Sequence, residues 1–231
     1  MPETLFLPDR NTLTQRLADR ICGLLRSGLK KRGRASLAVS GGSTPVALFD
    51  ELSGRDIPWQ QVSITLVDER WLDPGQDASN EHLVRTHLLK NHAASAHFTG
   101  MKTSDATALQ GETACEQLLA ELPRPFDAVV LGMGGDGHTA SLFPGAKRLA
   151  RATDASSTKT CMAINPPTAP HERMTLTLSA ILDSRRIFLL ITGQKKFDVL
   201  QKALQDGPPE KMPVRYILRQ QRTPVTIFWA P

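Results

Sequence analysis

The chain has few aromatic residues, few cysteines and no long apolar run. Aromatic residues make up 5% of its 231 positions, so the sequence offers no stacking platform for nucleic-acid bases. No window is apolar over the length of a membrane span, and the first residues lack the basic-then-apolar pattern of a signal peptide. We therefore expect a cytoplasmic protein that binds neither nucleic acid nor a membrane.

The three cysteines, Cys22, Cys115 and Cys161, lie among apolar neighbours and follow no paired spacing. This distribution is typical of buried free thiols in a reducing compartment. The formal charge of +5 is mild. The densest basic cluster, residues 30–34, ends an amphipathic helix, where cations suit the negative end of the helix dipole. A small anionic substrate accounts for this bias as well as a polyanion does.

Motifs of several enzyme classes are missing. No Gly-Lys-Ser/Thr follows a glycine turn, so the pattern is not that of a P-loop hydrolase. There is no Gly-x-Ser-x-Gly elbow and no cysteine at a strand end, so a covalent nucleophile is not indicated. His82 and His87 do not have the spacing that would place both on one helix face, and we predict no metal site.

Short apolar runs alternate with helical patterns along the chain. The runs at 35–39, 62–67, 126–131, 161–164, 174–178, 187–191 and 225–229 predict strands, and amphipathic helices separate most of them. This alternation predicts an α/β fold with a mainly parallel sheet and helices on both faces. With no internal repeat and no domain boundary in evidence, we expect residues 1–231 to form a single domain.

Some helix expectations are specific enough to check. We expect a helix after Asp105 with Cys115, Leu118, Leu119 and Leu122 facing inward, and an exposed connection over 147–158. The helix that follows the strand at 187–191 should bury Phe197, Leu200 and Leu204.

The first candidate site is the turn Ser40-Gly41-Gly42-Ser43-Thr44-Pro45, between a strand and a helix. Thr44 suits the N-cap and Pro45 the first helical position. A glycine turn with hydroxyls at a helix start directs N–H groups and the helix dipole at an anion. Two glycines and three hydroxyls exceed what a plain turn needs, so the turn predicts phosphate binding.

The second candidate site is the loop after the strand at 126–131. Gly132, Gly134, Gly135 and Gly137 surround Asp136 and lead into His138. The following His-Thr-Ala-Ser segment can open a helix. The loop matches Gly-x-Gly-x-x-Gly, but Pro144 interrupts the long helix that a dinucleotide site requires. Because an imidazole ionises near neutral pH, His138 in this loop favours proton transfer over a purely structural role.

Asp68, Glu69 and Arg70 follow the strand at 62–67 and should reach the same sheet edge as the two glycine turns.

Six segments together resemble the 6-phosphogluconolactonase family and span nearly the whole chain in order. They are Ser40–Pro45, Val67–Trp71, Ser79–Glu81, Leu131–Ser141, Arg173–Thr177 and Thr192–Lys196. The resemblance implies a Rossmann-like α/β fold shared with glucosamine-6-phosphate deaminase and ribose-5-phosphate isomerase.

The resemblance also implies an activity, which is hydrolysis of 6-phospho-D-glucono-1,5-lactone to 6-phospho-D-gluconate in the oxidative pentose phosphate pathway. No cofactor is expected, and the partner is the phosphorylated sugar lactone, bound by a monomer or weak homo-oligomer. His138 matches the family's general base, with Asp136 or Asp68 orienting it, and Arg70 or glycine-loop N–H groups stabilising the oxyanion. The implied substrate and phosphate contacts are Gly41, Gly42, Ser43, Thr44, Gly134, Gly135, Arg173 and Lys196.

Two alternatives stay open at this point. The first is a glucosamine-6-phosphate deaminase-like aldose–ketose isomerase, in which the aspartate that corresponds to Asp68 moves protons on an open sugar. Those deaminases carry an aromatic residue where this chain has Arg70, and a fixed cation suits ester-like hydrolysis better than enolisation. The second alternative is a non-catalytic sugar-phosphate-binding module, against which the presence of His138 argues.

Overall fold

The computed structural model describes residues 2–231, and its strands form two sheets. In chain order the strands are β1 (Glu3–Phe6), β2 (Ala35–Val39), β3 (Val62–Leu66), β4 (Asp68–Arg70), β5 (His97–Thr99), β6 (Ala128–Leu131), β7 (Cys161–Ile164), β8 (Arg173–Leu176), β9 (Ile187–Thr192) and β10 (Val225–Ala230). The larger sheet is parallel and has the order β1-β10-β9-β6-β2-β3-β5. The smaller sheet is antiparallel and has the order β4-β8-β7.

Helices connect most of the strands. Residues 2–231 contain α1 (Arg10–Arg32), α2 (Val46–Ser53), α3 (Asn80–His87), α4 (Glu112–Ala120), α5 (Leu149–Ala152), α6 (Leu178–Leu182), α7 (Gln194–Leu204) and α8 (Val214–Arg219). The longest, α1, begins at the N-cap Asp9, whose carboxylate accepts the Thr12 N–H, and ends at Gly33 in the left-handed region at φ 69°. Within the described chain, no helix has the length and apolarity needed to cross a bilayer.

The central strands are buried on both faces. Every residue of β2 and β6 is buried, as are the first five residues of β9. Because successive side chains of a strand point to opposite faces, such strands need helices above and below the sheet. This burial confirms the predicted α/β class, with a mainly parallel sheet between helical layers.

The structure departs from the predicted helices in several places. The fourth helix begins at Glu112, well after Asp105, and Leu118 is 45% exposed because its neighbour Leu119 takes the core position. Leu204, at the end of α7, is 43% exposed. The predicted exposed connection over 147–158 contains α5, which buries Leu149 and Ala152. The predictions for Leu118, Leu204 and the 147–158 connection were therefore wrong, whereas Cys115, Leu119, Leu122 and Leu200 are buried as predicted. Local periodicity does not fix which residues at a helix edge the sheet covers.

The strand order reverses between β2 and β6. From β2 the chain moves outward through β3 to β5, whereas β6, β9 and β10 lie on the other side. Since the strands are parallel, the carboxyl ends of β9, β6, β2 and β3 meet at one edge. This reversal point is where open α/β sheets form their ligand crevice.

Candidate active site

A cavity of about 380 Å³ lies at this edge of the large sheet. Four neighbouring strands each deliver a segment to it: Lys196 follows β9, the glycine loop follows β6, the Ser40–Pro45 turn follows β2, and the Asp68–Arg70 segment follows β3. Ten of the sequence-predicted residues line this one cavity, which are Gly41, Gly42, Ser43, Thr44, Asp68, Arg70, Gly134, His138, Arg173 and Lys196. Asp136 contacts His138, and Gly135 is exposed outside the lining.

The turn after β2 has backbone N–H groups that are available to a ligand. Gly42 has φ 93°, in the left-handed region that glycine adopts without strain. Pro45, and not Thr44, occupies the N-cap of α2, and no side chain caps the helix. The predicted capping role of Thr44 was therefore wrong, and its hydroxyl remains exposed at the cavity. Among the described residues, the N–H groups of 41–44 donate to no protein acceptor.

Two arginines lie side by side on neighbouring strands of the small sheet. Arg70 of β4 is paired in register with Arg173 of β8, an arrangement that is unfavourable for like charges. Arg173 is 7% exposed, its Nε has no hydrogen-bond partner, and its Nη2 donates to the Pro170 carbonyl at 3.2 Å. Burial lowers the pKa of Arg173, the nearby Asp68 opposes this shift and Arg70 adds to it.

A third cation reaches the cavity from α7. The Lys196 ammonium donates to the Met133 carbonyl in the glycine loop at 2.7 Å, whereas Lys195 is exposed outside the lining. Arg70, Arg173 and Lys196 all donate to uncharged carbonyl oxygens. The cavity therefore holds three positive charges without an ion-pair partner among the described residues, which is the arrangement expected of an anion site.

The glycine loop after β6 folds back on itself. The Gly134 N–H donates to the His138 carbonyl at 2.8 Å, and the Gly137 N–H donates to the Gly134 carbonyl at 3.1 Å. Gly137 has φ 80°, and its carbonyl accepts the Val214 N–H at 2.8 Å. The predicted helix opening after His138 was wrong, because Ala140 has φ 46°, outside the right-handed helical region.

This fold-back brings Asp136 onto His138. Asp136 Oδ1 lies 2.6 Å from the imidazole Nδ1 and also accepts the His138 backbone N–H at 3.0 Å. Burial opposes ionisation of Asp136, but these hydrogen bonds outweigh it and lower the Asp136 pKa. An ionised carboxylate at Nδ1 holds the proton on that nitrogen and leaves Nε2 with a free lone pair.

Asp68 makes a different contact. Its Oδ2 accepts the Ser141 hydroxyl at 2.6 Å, and its backbone carbonyl accepts Asn80 Nδ2 at 2.8 Å. Asp136, and not Asp68, therefore contacts the imidazole. Asp68 remains in the cavity lining as a carboxylate fixed by a buried serine.

A buried carboxylate fixes the segment that carries Arg70. Glu69 accepts the Ser79 hydroxyl and the N–H groups of Arg70, Asn80 and Glu81, at 2.7–2.9 Å. Burial raises the pKa of Glu69, although these four donors favour its charged form. Asn80 lies between Arg70 and the Ser40–Pro45 turn, since its Oδ1 is 3.4 Å from Arg70 Nη1 and a Cβ added at Gly41 would lie 1.9 Å from it.

Some residues of the cavity wall carry no motif in the sequence. Asn80 lay within the family segment Ser79–Glu81 without an assigned role, and Phe143 carried no signal, because an apolar residue in a turn resembles any core residue. Met133 also lines the cavity, where its backbone carries the acceptor for Lys196.

A family model described as glucosamine-6-phosphate isomerases/6-phosphogluconolactonase matches residues 8–229. This chain belongs to that family. Among family members, the 6-phosphogluconolactonase of Rhizobium meliloti (strain 1021) is 42% identical over 221 residues, which cover 96% of this chain and 95% of the relative. The 6-phosphogluconolactonase of Pseudomonas aeruginosa is 41% identical over 93% of this chain and 89% of the relative. The crystal structure of a 6-phosphogluconolactonase from Shewanella baltica OS155 superposes with a TM-score of 0.98 at 46% identity, covering 100% of this chain and 98% of that one.

Two adjacent glycines in this family member test the loop geometry. A Cβ at Gly134 would lie 2.1 Å from the imidazole Nδ1 and Cε1 of His138, whereas a Cβ at Gly135 would meet nothing within 4 Å. We expect Gly134→Ala to displace the imidazole and lower kcat/KM for a phosphorylated lactone by about 100-fold. The matched control Gly135→Ala should stay within about threefold, since the substitution meets open space. Equal losses in the two variants, measured at matched thermal stability, would contradict this geometry.

Proposed function

We propose that this chain hydrolyses 6-phospho-D-glucono-1,5-lactone to 6-phospho-D-gluconate, and that His138 activates the attacking water. The activity rests on family membership and on relatives named for it at 34–42% identity along nearly the full chain. The observation that carries the site assignment is the pairing of His138 and Asp136 in the same cavity as three cations without carboxylate partners.

The phosphate group of the substrate determines how the substrate lies in the cavity. The free N–H groups of 41–44 and the Ser43 and Thr44 hydroxyls donate to phosphate oxygens, and Lys196 and Arg173 neutralise the phosphate charge. We place Arg70 with this group, because Asn80 lies within hydrogen-bonding reach of Arg70 and close against Gly41. A dianion between Arg70 and Arg173 also removes the repulsion of two opposed cations.

The reacting end of the lactone then lies at the glycine loop. Neutral His138 Nε2 takes a proton from water, the water oxygen forms a bond to the lactone carbonyl carbon, and the carbonyl oxygen becomes an oxyanion. When this tetrahedral intermediate collapses, the bond from that carbon to the ring oxygen breaks. The imidazolium returns its proton to the departing ring oxygen, which becomes a hydroxyl, and the product is the open-chain acid.

The oxyanion needs preorganised donors. The N–H groups of Gly134, Gly137 and His138 already donate inside the loop. The Met133 N–H has no acceptor among the described residues, and Met133 lines the cavity. With Arg70 at the phosphate, we assign the oxyanion to the backbone of this loop at Met133.

Three broader expectations belong with this proposal. The free cysteines are buried, which suits a reducing cytoplasm. One continuous core runs from Leu7 to Ala230, which supports a single functional unit across the chain. We also propose activity in a monomer or a weak homo-oligomer, and this is supported by the fact that one chain supplies all the proposed catalytic groups.

His138→Ala tests the base directly. We expect kcat to fall by at least about 100-fold, in the range that positioned proton transfer contributes, while 6-phosphogluconate still binds through its phosphate. The assay follows hydrolysis of fresh lactone through 6-phosphogluconate dehydrogenase, after subtraction of the spontaneous rate. A second assay measures ammonia release from glucosamine 6-phosphate, which tests the deaminase alternative. Wild-type kcat in the variant would remove His138 from the mechanism.

Lys196→Met tests the phosphate assignment, with its exposed neighbour Lys195→Met as the control. Loss of one charge-assisted hydrogen bond of about 1.5–3 kcal/mol should raise KM by about 10- to 100-fold and leave kcat nearly unchanged, because the phosphate does not react. Lys195→Met should leave both constants near wild type. A KM in Lys196→Met equal to that of the control would take the phosphate role from Lys196.

A further inference from the structure

Phe143 stacks against the imidazole of His138. The ring centroids are 4.1 Å apart with an angle of 28° between the planes, and Phe143 is 4% exposed in the wall of the cavity. We propose that Phe143 is a positioning residue that fixes the plane of the His138 imidazole, so that Nε2 faces the water above the lactone. This inference rests on the proposed role of His138 as the base.

One hydrogen bond does not fix an imidazole plane. The contact of Asp136 with Nδ1 limits rotation of the imidazole about its bond to Cβ, but smaller rotations that keep this hydrogen bond remain, because that torsion has a broad energy profile. A nearly parallel phenyl ring at van der Waals separation removes these rotations. Asp136 and Phe143 together therefore determine both the direction and the plane of the base.

The phenyl ring is itself held in place. The Leu142 N–H donates to the Thr139 carbonyl at 3.0 Å, and Ser141 on the same turn donates its hydroxyl to Asp68 at 2.6 Å. The left-handed Ala140, φ 46°, belongs to this turn, which presents Phe143 to the cavity where a continuing helix would not. The departure from the expected helix thus has a physical role, because it places the Phe143 ring against the imidazole of His138.

Arg173 lies against the same ring. Its guanidinium carbon is 5.8 Å from the Phe143 centroid, within the range of a cation–π contact. Phe143 therefore touches both the proposed base and a proposed phosphate ligand. The ring links the two ends of the substrate site, so its loss should affect the reaction even where the phosphate still binds.

The test replaces the ring while it keeps apolar volume. We expect Phe143→Leu to lower kcat by about 10- to 100-fold, as a small displacement of a catalytic group does, with KM within about threefold. Phe143→Tyr keeps the ring and should recover most of kcat. Phe228→Leu, a fully buried phenylalanine of β10 outside the cavity, is the control for the general cost of losing a core ring.

A second readout does not depend on turnover. The Nδ1 proton of His138, hydrogen-bonded to Asp136, gives a downfield proton NMR signal when the ring is held. We expect this signal in the wild type, Phe143→Tyr and Phe228→Leu, and its loss to solvent exchange in Phe143→Leu. If His138→Ala kept full turnover, the proposed base would fail, yet this signal would still report whether Phe143 holds the ring.

Two results would overturn the positioning role. One is a kcat for Phe143→Leu no lower than that of Phe228→Leu, with the downfield signal intact. The other is a loss of kcat in Phe143→Leu that Phe143→Tyr fails to restore although its NMR signal persists.

Discussion

The site depends on three cations that share a cavity without a carboxylate partner among the described residues. Arg70 and Arg173 are cross-strand neighbours, and Lys196 joins them from α7. Like charges within one cavity repel each other, and the repulsion is stronger where burial removes water. Each cation instead donates to a neutral carbonyl, and we propose that the phosphate dianion of the substrate neutralises the three charges.

The rest of the fold fixes the position of these cations relative to the His138 imidazole. The small antiparallel sheet sets Arg70 opposite Arg173, and the Glu69 carboxylate fixes the segment that carries Arg70. Lys196 binds the carbonyl of Met133 in the same loop that presents His138. Anion site and imidazole are therefore parts of one hydrogen-bonded framework, which limits reorganisation when the substrate binds.

Much of this arrangement could be predicted from the sequence, because each segment carries a local signal. Buried strands ending in glycine turns predicted the sheet edge, and ten residues predicted from motifs line one cavity. The pairing of Arg70 with Arg173 could not be predicted, since it depends on a second sheet whose strands are short and distant in sequence. Phe143 was missed for a related reason: the left-handed turn at Ala140 is set by tertiary contacts, and the local sequence favoured a helix.

The most direct test of this account is a crystal structure of the protein with 6-phosphogluconate bound. We expect phosphate oxygens within hydrogen-bonding distance, about 2.7–3.2 Å, of the 41–44 N–H groups, Arg70, Arg173 and Lys196. We also expect the C1 carboxylate at His138 Nε2, in direct contact or through one water. A phosphate bound away from the three cations, or a carboxylate more than one water from the imidazole, would contradict this account.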